Sequence, residues 1–371
     1  MLRVFEAFVG YGSQSIALRN LGIEHEVVAI SEIDKYAIKA YEAIHGPTLN
    51  LGDICKINPI DIPEHDLFTY SFPCQDLSVA GKQAGLGKGT RSGLLYECEK
   101  IIEHCRPKYL LLENVKNLVG KKFKPHFDEW LQYLEGLGYT NYWKVLNAKD
   151  YGVPQNRERV FVVSILGEHN PYEFPKPIPL DRCIKDALED EVDEKYYLSN
   201  EYVDRFKQSI KKDKYPFGKA YSVIGTTVDN EEQKGTNSRG WVYDPNGCIS
   251  TLSATDYKQP KQIAEINQLG MLDIKGNEQV RRVYGANGIS PTLNTMQGGN
   301  RQPKILENKN DLFRIRKLTP RECFRLMGMR DDDIDKIQAA GISNTQQYKM
   351  AGNSIVVDVL EAIFKNLFME G

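Results

Sequence analysis

Two residues able to do chemistry follow neighbouring strand-like segments of this 371-residue chain. Cys74 comes just after the apolar stretch 66–71, within Phe-Pro-Cys-Gln, and Glu113 comes directly after the stretch 109–112. The carboxyl ends of parallel strands meet at one edge of a sheet, where α/β enzymes bind their ligands. A thiol and a carboxyl at that edge predict covalent chemistry, with Cys74 as nucleophile and Glu113 as acid.

A glycine-containing turn follows the first strand-like segment, with Phe8, Gly10 and Gly12 ahead of a helical pattern. Glu32 ends the second strand-like segment about 20 residues later, where a carboxylate can bind ribose hydroxyls. Asp53 ends a third strand-like unit. The spacing predicts a nucleoside cofactor, either a dinucleotide or S-adenosylmethionine.

The elements that must position these residues alternate between strand and helix. We predict strands at 3–8, 27–31, 66–71, 109–113 and 160–166. We predict helices at 13–21, 35–44, 94–105 and 127–137. Such alternation is typical of an α/β fold with a mostly parallel, doubly wound sheet.

Composition narrows the class of protein. Hydrophobic residues make up 41% of the chain, enough for a sizeable core, and the formal net charge of −2 excludes a uniformly basic nucleic-acid binder. The seven cysteines show no C-x-x-C spacing, which predicts a reducing compartment and no metal site. No apolar run is long enough to span a membrane, so we expect a cytoplasmic protein with no membrane partner.

The pattern changes after residue 170. Four prolines fall within 171–180, and an acidic stretch follows that we interpret as a solvated linker or helix face. Residues 242–252 then recur as 283–293, with six identities in eleven positions. Because each copy contains Asn-Gly, a turn signal, we predict two hairpins near 242–263 and 283–305 in a small β domain. Near the end, Thr319, Pro320 and Glu322 predict a capped helix start, and 354–368 a last helix.

The chain resembles the C5-cytosine DNA methyltransferases over nearly its whole length. The matching segments, in family order, are 8–12, Glu32, 52–54, 71–78, 113–115, 151–160 (Tyr-Gly-Val-Pro-Gln-Asn-Arg-Glu-Arg-Val), 318–322 and 352–355 (Gly-Asn-Ser-Ile). The resemblance implies a Rossmann-like S-adenosylmethionine-dependent methyltransferase fold. It implies a catalytic, cofactor-binding domain at 1–170, a smaller β-rich target-recognition domain at 171–312, and C-terminal helices at 313–371 that complete the first domain.

The resemblance also implies roles for the site residues. Cys74 would attack C6 of cytosine, Glu113 would hydrogen-bond N3, Arg159 would hold O2, and Arg157 would support the catalytic loop or a phosphate. Residues expected to bind S-adenosyl-L-methionine, and the product S-adenosyl-L-homocysteine, are Phe8, Gly10, Gly12, Glu32, Ile33, Asp53, Pro73, Asn353 and Ser354. Ile33 stands where the family often has an aromatic residue, so its contact with adenine would be aliphatic.

Contacts to DNA are expected from two regions. The glycine-rich segment after Cys74 suits a lid over a flipped-out base, with basic side chains for phosphates. The recognition domain supplies basic side chains and two Thr-Leu pairs, a pair the family places near a DNA phosphate. The expected contact residues are Gln75, Ser78, Lys82, Arg91, Thr251, Arg281, Arg282, Thr292 and Arg301.

Double-stranded DNA is therefore the expected partner of a monomeric enzyme from a bacterial or phage restriction–modification system, with a cognate restriction endonuclease encoded nearby as a candidate partner. Three alternatives stay open: the same chemistry on transfer RNA, a catalytically inactive DNA-binding regulator, and a dehydrogenase. The intact Cys74, Glu113, Arg157 and Arg159 argue against the regulator. A dehydrogenase would have no use for this combination of a cysteine, a glutamate and two arginines, so it is the least favoured alternative.

Overall fold

The computed structural model describes residues 1–73, 94–197 and 312–369, together with 223–226, 241–243, 262–263, 268–271, 282–285, 290–293, 302 and 304–309. Among these residues, none of the helices is long and apolar enough to cross a membrane.

A six-stranded sheet forms the centre of the molecule. Its strands are β1 (Leu2–Ala7), β2 (His25–Ser31), β3 (Leu67–Tyr70), β4 (Tyr109–Val115), β5 (Tyr139–Asn147) and β7 (Glu158–Leu166), in the order β2-β1-β3-β4-β7-β5. The first four are parallel, and β7 runs antiparallel to both β4 and β5. The chain moves from β1 to β2 on one side and then crosses to β3 on the other. The carboxyl ends of β1 and β3 therefore flank a topological switch point, which is where open α/β sheets bind ligands.

Helices cover both faces of this sheet. The first four are α1 (Ser13–Asn20), α2 (Lys35–His45), α3 (Leu95–Cys105) and α4 (Lys124–Gly136). One apolar cluster joins Ile16 and Leu18 to the C-terminal Ile363 and Phe364, and the other cluster includes Trp130. A sheet buried on both faces needs near-continuous apolar strands, which explains the fully buried β3.

The C-terminal segment supplies four helices: α5 (Pro320–Arg325), α6 (Asp331–Ala339), α7 (Asn344–Asn353) and α8 (Val357–Phe368). The predicted capping box is confirmed, since Thr319 accepts from the Glu322 amide and Glu322 accepts from the Thr319 amide at 2.8 Å. The last helix begins at Val357 instead of the predicted 354, because Ser354 is extended and turns the chain between two helices. Asn20 on α1 bonds Glu361 on α8 at 2.7 Å, which anchors this segment to the first domain.

The predicted strands and helices of residues 1–170 are present to within a few residues, but one predicted strand is absent and two strands were not predicted, β5 and the two-residue Gln155–Asn156. Of these two, β5 is an edge strand whose polar Thr140, Asn141 and Lys144 leave no apolar run. The absent strand is the one predicted before Asp53. Only a single bridge joins Ile30 to Asn50 there, and the chain turns into a short 3-10 helix instead.

The remaining strands form small sheets. One sheet contains β8 (Val223–Thr226), β9 (Trp241–Tyr243) and β10 (Gln262–Ile263), and another contains β11 (Gln268–Met271), β12 (Arg282–Gly285), β14 (Lys304–Lys309) and β15 (Leu312–Lys317). The hairpin predicted for the second repeat is wrong. Its strand β12 pairs with β11 and β14, whereas β13 (Ser290–Pro291) pairs with β6 (Gln155–Asn156) of the first domain.

The acidic stretch after residue 180 packs against the first domain and the C-terminal helices. Ile184 and Ala187 are buried in the main apolar cluster, together with Tyr172. Glu189 bonds the hydroxyl of Thr319 and lies 3.6 Å from Arg321. The interpretation as a linker is therefore wrong as far as residue 189. The acidic side chains other than Glu189 are nevertheless exposed, as expected for a solvated stretch: Asp181, Asp186, Asp190, Glu191, Asp193 and Glu194. The domain limits stay a prediction.

Candidate active site

The loop after β1 has a backbone that few side chains can adopt. Phe8 has φ +57° although it is not glycine, and Gly10 has φ +61°. Non-glycine residues in this region are uncommon and cluster at functional sites. The Glu32 carboxylate holds the loop, because it accepts the Gly10 amide at 3.1 Å and the Ile33 amide at 2.8 Å. Glu32 thus organises the backbone around the place where a ribose would bind.

Gly12 is required for helix packing. A Cβ there would lie 2.5 Å from Nε2 of His45 and 2.8 Å from the ring of Tyr41, and its φ is +83°. Gly12 is also absent from the residues that line the cavity described next. It therefore supports the loop by letting α2 approach closely, while its predicted contact with a cofactor stays a prediction.

A cavity of about 520 Å³ opens at the carboxyl ends of β1, β2, β3 and β4. It brings together eight of the nine residues predicted to bind a cofactor: Phe8, Gly10, Glu32, Ile33, Asp53, Pro73, Asn353 and Ser354. Glu113, Arg157 and Arg159 line the same cavity. Residues from distant parts of the sequence therefore meet in one space, as expected for a binding and reaction site.

One end of the cavity presents an exposed aliphatic side chain beside a carboxylate. Ile33 lines the cavity and is 74% exposed. Asp53 accepts the Cys55 amide at 3.1 Å and caps the following 3-10 turn. This end can offer an apolar surface and a polar group to a planar ring system.

The other end holds a buried Glu–Arg pair. Glu113, in β4, is 8% exposed, and its Oε1 lies 3.1 Å from Nε of Arg159 in the neighbouring strand β7. Burial raises the pKa of the Glu113 carboxyl, while the charges of Arg159 and Arg157 act to lower it. With burial dominant, the carboxyl is more readily protonated than an ordinary glutamate and can donate a hydrogen bond.

Asn114 fixes the end of β3, a function that its position in the Glu-Asn-Val motif did not reveal. Its Nδ2 donates to the carbonyl of Phe72 at 3.1 Å, and both side chains are buried. Its Oδ1 accepts the Val115 amide at 2.9 Å. Asn114 thereby holds the backbone two residues before Cys74 against the strand that carries Glu113.

The guanidinium of Arg157 is only 3% exposed and is directed at backbone carbonyls. It donates to Leu293 at 3.0 Å, to Gly352 at 3.1 Å and to Ser354 at 2.7 Å. These contacts give Arg157 a positioning role. Its predicted support of the catalytic loop or of a phosphate stays a prediction.

The residues predicted to contact DNA are only partly described. Thr292 is exposed, and its hydroxyl donates to the Asn156 carbonyl at 2.6 Å. Arg282 lies half-buried in β12. The predictions that lie outside the described residues concern Cys74, Gln75, Ser78, Lys82, Arg91, Thr251, Arg281 and Arg301.

A second, larger cavity of about 1020 Å³ lies between residues 182–191 and the C-terminal helices. Its walls are charged, and they pair internally, as Arg325 does with Asp331 at 2.7 Å. None of the predicted catalytic or cofactor residues lines it. We therefore assign the chemistry to the smaller cavity. In the part of the chain that the structure describes, no group of three His, Cys, Asp or Glu side chains is arranged to hold a metal ion.

Comparisons with known proteins converge on one family. The model of the C-5 cytosine-specific DNA methylases matches residues 2–369. The type II methyltransferase M2.ScrFI of Lactococcus lactis subsp. cremoris is 38% identical over 423 aligned residues, covering 99% of each chain. The orphan methyltransferase M.SPBetaI of Bacillus phage SPbeta is 32% identical, covering 99% of this chain and 97% of its own. The crystal structure of S. pombe Dnmt2 methyltransferase superposes with a TM-score of 0.65 at 17% identity, covering 100% of this chain and 99% of its own, and supports the fold alone.

Proposed function

The chain belongs to the C-5 cytosine-specific DNA methylases, and from that premise we propose that it transfers a methyl group from S-adenosyl-L-methionine to C5 of a flipped-out cytosine in a specific double-stranded DNA sequence. The observation that carries this proposal is the single cavity that joins the Glu32 end to the Glu113–Arg159 pair.

The residues present fit the cofactor. Among the described residues, a Cβ on Gly10 would approach only Ser354 Oγ, at 4.0 Å, so these residues leave room for a ligand beside the loop. Glu32 would accept hydrogen bonds from the ribose, Ile33 would cover one face of the adenine, and Asp53 would accept from its amine. When bound, S-adenosyl-L-methionine supplies an electrophilic methyl group.

The other end of the cavity suits activation of cytosine. C5 is a poor nucleophile until C6 is attacked, and the Cys74 thiolate would form that bond. A protonated Glu113 would donate a hydrogen bond to N3 and stabilise the charge that develops there. Arg159, held beside Glu113, would donate to O2. Once C5 has been methylated, loss of the C5 proton breaks the Cys74–C6 bond and restores the thiolate.

The target carbon lies inside a duplex stack, so the base must leave it before Cys74 can attack. The relatives are type II and orphan methyltransferases of bacteria and phages. We therefore propose a DNA-modifying role in such a setting, with a cognate endonuclease as a candidate partner. At 17% identity, the likeness to Dnmt2 supports the fold and carries no argument about the substrate, so transfer RNA stays the alternative to be tested.

Bisulfite sequencing tests the proposal directly. Plasmid DNA and transfer RNA from cells that express the chain should be compared with the same nucleic acids from cells that express Cys74→Ser. We expect methylated cytosine in one DNA sequence context, in wild type only. Methylation confined to transfer RNA would favour that substrate. DNA binding without methylation of either nucleic acid would favour an inactive regulator.

Sequence readout is proposed for the region of the second repeat. Replacing Arg281, Arg282 and Arg301 singly with alanine separates two kinds of contact. Loss of a base contact relaxes the preference at one position and costs about 1–3 kcal/mol of binding, whereas loss of a phosphate contact weakens all sequences alike and flattens the salt dependence. If all three variants bind and methylate as wild type does, the recognition surface lies elsewhere.

A further inference from the structure

Three distant parts of the chain meet at two buried side chains beside the active site. Gln155, in β6, is fully buried, and Arg157, between β6 and β7, is 3% exposed. Both side chains hydrogen-bond backbone atoms of other segments. Buried polar groups that bind specific backbone atoms fix the segments that carry those atoms.

The first of those segments is the end of the second repeat. Gln155 Oε1 accepts the Leu293 amide at 3.0 Å, and Arg157 Nη1 donates to the Leu293 carbonyl at 3.0 Å. The same segment pairs as β13 with β6, and the Ser290 amide donates to the carbonyl of Pro154 at 2.6 Å. Both peptide groups of Leu293 are thus held by side chains of the catalytic motif, next to the exposed Thr292.

The second segment is the end of α7 together with the turn that leads to α8, residues 352–356. Arg157 Nη2 donates to the carbonyls of Gly352, at 3.1 Å, and Ser354, at 2.7 Å. Gly352, Asn353 and Ser354 line the cavity assigned to the cofactor. The guanidinium of Arg157 therefore connects residues 352–354, which line the proposed cofactor cavity, with Leu293 at the end of the second repeat.

The third segment is the turn after α5, which Gln155 reaches by donating to the Leu326 carbonyl at 2.6 Å. The two side chains thus differ in what they connect. Arg157 connects residues 290–293 with residues 352–354. Gln155 connects residues 290–293 with the turn after α5.

We propose that Gln155 and Arg157 form a positioning clamp that makes binding of the cofactor and binding of DNA depend on one another. This inference rests on the function proposed above. A planar guanidinium can satisfy three carbonyls in fixed directions, and an ammonium cannot reproduce that geometry. Arg157→Lys keeps the charge but releases at least one of the two segments. Gln155→Met keeps the approximate shape and removes the hydrogen bonds to Leu293 and Leu326, together with a weaker one to the sulfur of Met327 at 3.5 Å.

Calorimetry with S-adenosyl-L-homocysteine and a duplex carrying the mapped target sequence tests the clamp. For Arg157→Lys we expect both dissociation constants to rise by roughly 10- to 150-fold, the range for loss of charge-assisted hydrogen bonds. We expect the gain in cofactor affinity that DNA confers on wild type to disappear. For Gln155→Met, DNA binding should weaken while cofactor binding in the absence of DNA stays near the wild-type value.

Arg325→Lys is the matched control, because Arg325 also donates to backbone carbonyls, those of Ala187 and Leu188, outside the cofactor cavity. It should lower the melting temperature without changing either dissociation constant. If Arg157→Lys affects only one ligand, or if Arg325→Lys produces the same losses, the clamp is wrong. If Arg157→Lys does not fold, Gln155→Met decides, and an unchanged DNA affinity overturns the proposal.

Hydrogen–deuterium exchange gives a readout that needs no ligand. Arg157→Lys should accelerate exchange in both 290–293 and 352–356, Gln155→Met in 290–293, and Arg325→Lys in neither. Unchanged exchange in both segments of Arg157→Lys contradicts the clamp. A wild-type chain that binds no S-adenosyl-L-homocysteine contradicts the proposed function instead, so the two failures are distinct.

Discussion

Two buried Glu–Arg pairs lie in different regions of the molecule and are built differently. At the junction of β15 and α5, Glu322 and Arg316 are both fully buried and share two parallel hydrogen bonds of 2.8 Å. Glu322 also accepts the Thr319 amide at 2.8 Å and the Glu189 amide at 2.9 Å. At the carboxyl end of β4 in the central sheet, Glu113 and Arg159 line a cavity, and Glu113 Oε1 lies 3.1 Å from Arg159 Nε.

The difference separates a structural pair from a chemical one. Four donors occupy the Glu322 carboxylate, so it has little capacity left for a substrate. Glu113 keeps capacity toward the cavity, and burial raises its pKa. A carboxyl that can gain a proton and reach a ligand is suited to acid catalysis, whereas a saturated carboxylate stabilises a junction.

The largest effect should follow from changing the chemical pair. Glu113→Gln preserves size but cannot transfer a proton, so we expect the rate of methylation to fall by about 10²- to 10⁴-fold. Single-turnover methylation of the target duplex measures it. Glu322→Gln is the matched control, and it should lower stability while the folded fraction keeps its rate. Equal methylation rates for wild type and Glu113→Gln would contradict the chemical role of the Glu113–Arg159 pair.

The pH dependence of the rate sharpens the same point. The active form of Glu113 is the protonated one, so wild-type turnover should decline as pH rises through its raised pKa. The decline should be absent from the residual activity of Glu113→Gln. A wild-type rate that instead falls as this group takes up a proton would contradict acid catalysis by Glu113.

Breaking the structural pair should be costly for folding. Arg316→Met leaves the Glu322 charge buried without its main partner, and we expect a loss of about 3–5 kcal/mol in the free energy of unfolding. Arg159→Met should cost clearly less, because Glu113 faces a cavity and is able to take up a proton. Urea unfolding of the two variants measures both losses of unfolding free energy. A larger loss of unfolding free energy in Arg159→Met than in Arg316→Met would contradict the distinction between the structural and the chemical pair.

Glu6 provides a third buried carboxyl, for which no ion pair is described. The Ser15 hydroxyl donates to its Oε1 at 3.0 Å, and its Oε2 has no hydrogen-bond partner in the part of the chain that the structure describes. Burial raises the pKa of Glu6 from 4.5 to about 7. Because the folded state binds this proton more tightly, the stabilising contribution is present below pH 4.5 and is lost as pH rises through about 7.

Glu6→Gln should remove that dependence. Relative to wild type, we expect the variant to gain stability between pH 4.5 and 8, by on the order of 3 kcal/mol in total. Unfolding by urea at several pH values measures the difference. A constant difference across this range would show that Glu6 does not change its protonation there.

The sequence predicted the edge of the sheet on which the site lies, because short apolar stretches such as 66–71 and 109–112 are local signals. Glu113 and the loop at Phe8 follow such stretches directly, and the structure places both at the cavity. Asp53 is also at the cavity although the strand predicted before it is absent. The resemblance to the family was therefore the signal that correctly predicted Asp53 as a site residue.

Contacts between distant segments could not be predicted in this way. Gln155 bonds Leu293, 138 residues away, and Leu326, 171 residues away, and no periodic pattern records such pairs. The second repeat misled for a similar reason, since Asn-Gly predicts a local turn while Ser290–Pro291 pairs with β6. The need for glycine at position 12 depends on Tyr41 and His45, which only the folded chain brings close.

The central claim is that this chain methylates cytosine through a covalent bond from Cys74. A duplex carrying 5-fluorocytosine at the mapped site tests it, because fluorine at C5 cannot leave as a proton and the final elimination is blocked. With S-adenosyl-L-methionine, wild type should form a denaturation-resistant complex whose mass equals protein, DNA and one methyl group, attached at Cys74, and Cys74→Ser should form none. A wild type that methylates the ordinary duplex but yields no such complex, or yields one at another residue, would contradict the account.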